Sequence, residues 1–528
     1  MLHTPSSLRG MVTSPHHLAS QSGLDILKEG GSVIEAAIAT AATLAVVYPH
    51  MNSIGGDSFW LIREPDGRVH SINACGAAAL AADADLYKGL DTIPWRGPLA
   101  ANTVAGTISG WQVLLEQDRQ AGSQGLPLAR ILRDAVHYAD HGVVVTRGGA
   151  DIAGLKDAEL KDVPGYAAVF RPMGRPLEDG DRLKQPALAE TFRRLINKGL
   201  ADFYSGGIAS DLSSDLAAFG SPVGAVDLLS HRASQPVPLS TRIKGAHLYN
   251  SAPPTQGAAS LMILALFDRL GVKTVDDFDF VHGLVEATKR AFVIRDDHIG
   301  DPAYMSLDLS AMLSDRDTLD ALAARIDPRR ALPWPQEPVG GDTVWFGAID
   351  DKGRAVSAIQ STYFEFGSGL VLPNTGVIWQ NRGASFQLKS QGPRALKPGR
   401  LPFHTLNPAL AVFDDGRVMA YGTMGGEGQP QTQAAVFSRY RAGLGLQAAV
   451  SAPRWLLGKT WGDDSVTLKL EDRFAASLRE ALSEAGHRLE ILPAFTSVMG
   501  HAGALVYHQN GRLEGATDPR SDGSVAAW

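Results

Sequence analysis

Residues 331–342 hold three prolines and two glycines, and the chain reads differently on the two sides of them. Proline locks φ and removes a backbone donor, so neither a helix nor a ladder strand runs through such a stretch. Elements on either side must therefore meet by packing rather than by continuation. Before the stretch the periodicity is mostly helical, over 14–29, 36–47, 183–198, 202–218, 258–270 and 278–299. Ser32 and Glu35 form a capping-box pattern, and 36–47 is apolar nearly all round, which predicts a buried helix. One strand pair, 59–62 and 69–74, is joined through Pro65-Asp66-Gly67. After the stretch come strands at 344–349 and 355–362, joined by Asp350-Asp351-Lys352-Gly353, with more at 376–379, 409–413 and 418–422. Helices are predicted at 433–444 and 474–485. This is an α+β chain. Helices on both faces of an antiparallel two-sheet core satisfy the layer rule, and other α+β layouts stay open.

Composition removes several functions. The net charge is −7 over 528 residues with no basic run, which argues against nucleic acid or an anionic membrane as partner. The longest charge-free apolar stretch, 36–48, is well short of the roughly 18 residues of a membrane span. The opening residues lack an apolar signal core, so a cytoplasmic protein is expected. A single cysteine, Cys75, excludes an internal disulfide and a multi-cysteine zinc site, and reads as a small buried hydrophobe. His137 and His141 share a predicted helix face, but no third ligand is spaced to match them. No metal or cofactor is expected.

Chemistry concentrates around Gly340-Gly341-Asp342-Thr343. A threonine hydroxyl needs a base. If the chain cuts itself between Asp342 and Thr343, the new α-amine, with a pKa of roughly 7.7–8.0, becomes that base within one residue. The glycines permit the strained backbone such a cut requires. Thr343 also reads simply as the β-branched residue opening a strand. Gly425 and Gly426, between a strand and a helix, offer backbone N–H groups to an oxyanion, or make a tight turn. Arg382, in a polar loop beside a strand, is a forked donor suited to a carboxylate, or an ordinary arginine.

In this order the features resemble the γ-glutamyltransferase family of N-terminal-nucleophile hydrolases. The resemblance rests on Glu35-Ala-Ala-Ile-Ala-Thr-Ala-Ala-Thr-Leu-Ala-Val-Val-Tyr-Pro-His50 with Gly55-Gly56, on Glu286-Ala-Thr-Lys-Arg-Ala-Phe292 and Gly300-Asp-Pro302, on Thr343 and Gly425-Gly426, and on Asp518-Pro-Arg-Ser521. It implies a four-layer αββα sandwich and self-cleavage into residues 1–342 and 343–528, which stay together as one unit. It implies Thr343 as nucleophile, Gly425 and Gly426 as oxyanion donors, and Ser361 as an assisting hydroxyl.

Departures from the family pattern point to the substrate. The arginine expected after the first hairpin is absent from Asn73-Ala74-Cys75-Gly76. Ser385 stands where an acid would meet the substrate ammonium. Tyr363 replaces an asparagine, and His404-Thr405 replace a serine pair. Arg382 is a new positive charge. A small amide carrying a carboxylate but no ammonium fits, with Asn381, Ser385, His404, Thr405 and Gln429 completing the pocket. The strings Gly341-Asp-Thr-Val-Trp345 and Gly422-Thr-Met-Gly-Gly-Glu-Gly-Gln-Pro-Gln431 are similar to the branch that hydrolyses oxamate to oxalate and ammonia in purine (allantoin) breakdown. A γ-glutamyl hydrolase or transferase with an altered pocket, an acylase of larger amides, and an unprocessed ligand-binding relative remain as alternatives. A homodimer is compatible with the sequence.

Overall fold

The computed structural model describes residues 3–334, 342–389, 391–458 and 465–528. Gly340 and Gly341, where the cut is expected, lie outside the described residues, as does the side chain of Asp342. Two antiparallel sheets form the centre. The six-stranded sheet runs Ser524–Ala527, Gly10–Ser14, Asp342–Asp350, Ala355–Tyr363, Asp57–Arg63, Val69–Ala74. The seven-stranded sheet runs Ser6–Ser7, Leu513–Thr517, Ala502–Tyr507, Val418–Thr423, Ala409–Phe413, Ala246–Asn250, Leu239–Ile243. Each sheet takes strands from both sides of Thr343, so the Pro/Gly stretch separates no domains.

Alternation along the strands builds the layers. Met11, Leu61, Ile349, Leu410, Ala420 and Leu505 meet between the sheets. The opposite faces carry helices. Val344, Phe346, Val356 and Ala358 pack with the helices His17–Lys28 and Val33–Val47. Ala411, Met419, Tyr421 and Val506 pack with Gly257–Leu270, Phe278–His298 and Gly428–Arg441. The result is the four-layer αββα sandwich. The capping box at Ser32 and Glu35 is present, and every residue of Val33–Val47 is buried. The sheets approach closely where Trp345 lies against Gly422 and Gly503, since a Cβ on either glycine would sit 2.1 or 2.4 Å from its ring.

Residues 376–379 form no strand. Gly55↔Trp379 and Val371↔Ile378 are isolated bridges in a loop, and the apolar run is buried there by packing rather than by a ladder. Residues 182–183 pair with 143–144 as a short strand, and the helix predicted from 183 begins at Pro186. The helix predicted over 202–218 breaks at Gly206 into Asp202–Ser205 and Gly207–Phe219. Among the described residues, no helix is long and apolar enough to cross a membrane.

Candidate active site

Strand register places three polar residues at one end of the inter-sheet space. On Asp342–Asp350, Val344, Phe346 and Ala348 face helices while Trp345 and Ile349 face the other sheet. Period-two alternation therefore turns Thr343 inward. It is fully buried. Gln360 pairs with Val344 and Tyr363 with Asp342, so Ser361 and Thr362 together oppose Thr343 in a bulge. On the far side Ser361 pairs with Asp57, whose strand turns Phe59 and Leu61 inward. Thr343, Ser361 and Asp57 thus lie in a row across three strands. Ser361 Oγ accepts from the Tyr363 amide at 2.8 Å. Tyr363 has φ of 86°, a left-handed conformation rare for a bulky residue and characteristic of functional sites.

Gly425 and Gly426 link the strand Val418–Thr423 to the helix Gly428–Arg441, with φ of 118° and 51°. A Cβ on Gly425 would meet only ordinary contact, 3.4 Å from Gly500 Cα, so conformation rather than space requires glycine there. Gln429, in the first turn of that helix, donates through Nε2 to Thr343 Oγ1 at 3.3 Å. Gln256 Nε2 donates to the carbonyls of Gly426 and Thr405, both at 2.8 Å. Its Oε1 accepts from Arg295 Nη1 at 3.1 Å, and Arg295 Nη2 reaches Glu427 Oε1 at 3.0 Å. One buried glutamine thus ties the glycine turn to the loop carrying His404 and Thr405, backed by an ion pair.

Arg382 is buried, with Cζ 3.6 Å from the centre of the Tyr363 ring. Among the described residues its donors reach Phe403 O and Thr405 Oγ1, each at 3.4 Å. Among the described residues no carboxylate lies within ion-pair distance of it. Burial lowers its pKa to about 10, with Tyr363, Asp57 and Cys75 favouring the charge, so it stays cationic at neutral pH. Ser385 Oγ donates to Phe403 O at 3.0 Å. Asn381 has its amide committed to protein, accepting from Phe364 N at 3.1 Å and donating to Trp95 O at 2.8 Å. It shapes the loop. His404 is buried beside Phe59, with Nε2 3.4 Å from Asp57 Oδ2. Burial and Arg382 push its pKa well down, leaving a neutral imidazole.

Asp57 and Gln256 were not anticipated from sequence. Asp57 follows Gly55-Gly56, where a Cβ would sit 2.2 Å from Ile378 O or 2.1 Å from Ser361 O. That tight backbone approach was the available signal. Gln256 sits in the loop before a helix and carries no pattern of its own. His137 and His141 stack, with ring centroids 4.6 Å apart. Among the described residues the grouping able to hold a metal is His282, Glu286 and His487, but Lys289 Nζ occupies Glu286 at 2.6 Å, and an ammonium there opposes a second cation.

The gamma-glutamyltranspeptidase family profile matches residues 19–528. The chain is 52% identical over 523 residues to an oxamate amidohydrolase proenzyme of Klebsiella pneumoniae, covering 99% of each. It is 37% identical over 519 residues to a glutathione hydrolase-like proenzyme of Bacillus subtilis, covering 98% of each. A cephalosporin acylase structure from Bacillus halodurans superposes with a TM-score of 0.91 at 31% identity, over 100% of this chain and 97% of that one. With the sandwich and the buried polar site, these likenesses identify the chain as an amide-hydrolysing enzyme that belongs to the gamma-glutamyltranspeptidase family.

Proposed function

We propose that the protein cuts itself between Asp342 and Thr343 and then hydrolyses a small carboxylate-bearing amide, best matched by oxamate. In the cut, Thr343 Oγ attacks the Asp342 carbonyl. The resulting ester is hydrolysed, leaving a carboxylate at 342 and a free amine at 343, and the pieces 1–342 and 343–528 stay joined through their shared sheets. In turnover, Thr343 Oγ attacks the amide carbonyl as its own amine takes the hydroxyl proton. The N–H groups of Gly425 and Gly426 hold the oxyanion at the positive end of the Gly428–Arg441 helix. The proton passes to the departing nitrogen and ammonia leaves. Water, deprotonated by the same amine, releases oxalate from the acyl-threonine. Ser361 and Gln429 steady Thr343, and Thr405 supports Arg382.

Arg382 is the observation that carries the substrate. Its buried guanidinium, without an ion-pair partner among the described residues, lies over Tyr363, the residue that pairs with Asp342. An anion anchor so near the scissile position suits an acyl group whose carboxylate adjoins the carbonyl. The oxamate amidohydrolase relative supports the same choice. Asp57 favours a second reading. With Arg382 it makes a plus/minus pair that also suits the amino-acid end of a γ-glutamyl group, in line with the glutathione hydrolase-like relative.

Ammonia release from oxamate, measured against p-nitroaniline release from γ-glutamyl-p-nitroanilide, separates the two. Turnover of oxamate with little of the anilide is expected, and the reverse overturns the reading. Thr343→Ala should run as a single full-length band where wild type gives two. A full-length but active wild type would end the mechanism.

A further inference from the structure

We propose that Asp57 is a specificity-determining residue of the acyl pocket, sharing a proton with His404 so that a substrate carboxylate reaches Arg382 together with one proton. The inference rests on the carboxylate-amide reading above. The carboxyl is divided in its bonding. Oδ1 accepts from Gly106 N at 2.9 Å, Gln380 Nε2 at 3.1 Å and Gly76 N at 3.2 Å. Oδ2 has no hydrogen bond among the described residues, and neither has either ring nitrogen of His404. These three atoms are buried, and the closest pair is 3.4 Å apart. Three such atoms converging on one point beside a buried cation call for an explanation, and a group that binds there supplies one.

What arrives is set by charge. Around Asp57 stand Arg382 from the loop following the strand Ala355–Tyr363, His404 from the next loop, Cys75 beyond Val69–Ala74, and Tyr204 from a helix; Tyr363, the last residue of that strand, lies against Arg382. Asp301 acts on Cys75. Arg382 is the sole cation of this set at neutral pH. A substrate carboxylate would bring the pocket to two anions against one cation, and an uncompensated buried charge is strongly unfavourable. Protonating Asp57 removes the excess. Burial has already raised its pKa to about 7, and an arriving anion raises it further. The proton on Oδ2 then donates to His404 Nε2, and the ring hydrogen resides on Nδ1. An acyl group carrying its own ammonium needs no such proton, so the pair distinguishes the two acyl classes.

The test is calorimetric binding of oxalate to the processed enzyme between pH 6 and 8.5, in two buffers of different ionisation enthalpy. Uptake approaching one proton per oxalate is expected in wild type above pH 7, with affinity falling about tenfold per pH unit there. Asp57→Asn should take up about one proton fewer per oxalate than wild type, keeping only the pH dependence of the Thr343 amine, whereas equal uptake by the two proteins overturns the inference. Oxalate bound by wild type with no proton uptake overturns this inference alone, whether or not the variant folds. No oxalate binding by an enzyme that still turns over γ-glutamyl-p-nitroanilide overturns the carboxylate reading and this inference with it.

Discussion

Gln256 donates from its side-chain amide to the carbonyl of Gly426 at 2.8 Å, so a residue before the expected cut holds the glycine turn that follows it. The same amide holds Thr405 O, and Arg295 holds the glutamine. Both amide donors are thus used in fixing the separation of the Gly425-Gly426 turn from the loop carrying His404 and Thr405. Misplacing a donor by about 1 Å costs on the order of 100-fold in rate. Gln256→Met keeps the volume and loses both donors. It should lower kcat about 10- to 100-fold while KM moves less than about threefold, and the melting temperature should fall too, since Gly426 O and Arg295 Nη1 lose a buried partner. A lower melting temperature with unchanged kcat would reduce Gln256 to a packing role.

As the proposed anchor, Arg382 would act by direction as much as by charge. Its guanidinium is stacked 3.6 Å from the Tyr363 ring centre, an arrangement a lysine ammonium does not reproduce. A charge-assisted hydrogen bond contributes about 1.5–3 kcal/mol. Arg382→Lys and Arg382→Ala should therefore both raise KM for oxamate roughly 10- to 100-fold, with kcat less affected. If lysine restored wild-type KM, point charge alone would be at work. Unchanged KM in the alanine variant would move the anchor elsewhere.

The layers were legible from the sequence because their signals are local. The capping box at Ser32, the apolar run after it and the alternating strands around Asp350-Asp351-Lys352-Gly353 each lie within a dozen residues. Thr343, Gly425 and Gly426 were legible as candidates in an ordered set. Asp57 and Gln256 were not, since their meaning comes from partners such as His404, Arg382 and Gly426 that only register and crossover bring near. The Asp518-Pro-Arg-Ser521 string was legible as a match but not as a role. Asp518 accepts from Arg454, Arg520 and Ala502 N. Burial alone would raise its carboxyl, yet the two arginines hold it below the usual range. It is a buried ionic knot behind the sheet.

Asp57 also bears on stability. Burial, the dominant cause, raises its folded pKa from 3.8 to about 7. A group raised in the folded state contributes stability that is fully present below the unfolded pKa and lost as pH rises through the folded one. Wild type should therefore be more stable near pH 4 than near pH 8 as far as Asp57 is concerned, by up to about 4 kcal/mol. Asp57→Asn, which cannot ionise, should flatten this slope. Denaturant midpoints of the Thr343→Ala single chain at several pH values, with and without Asp57→Asn, measure it. Parallel pH profiles would show that the carboxyl is not strained by burial.

Glu286 and Lys289 grip one residue, Leu332, ten positions ahead of Asp342. Lys289 Nζ donates to Leu332 O at 2.7 Å, and Glu286 Oε2 accepts from Leu332 N at 3.1 Å. The two side chains also bond each other at 2.6 Å, and both residues are buried. A residue held at both backbone polar groups gives the following stretch a fixed point of entry. Lys289→Met should slow self-cleavage about tenfold, read as decay of the full-length band on a denaturing gel. It also leaves Glu286 as an unpaired buried carboxylate, which costs about 3–5 kcal/mol. Glu286→Gln with Lys289→Met removes that charge. If the grip on Leu332 matters, the double variant regains its melting temperature but not its cleavage rate. If the pair serves only to satisfy its own charges, both return together.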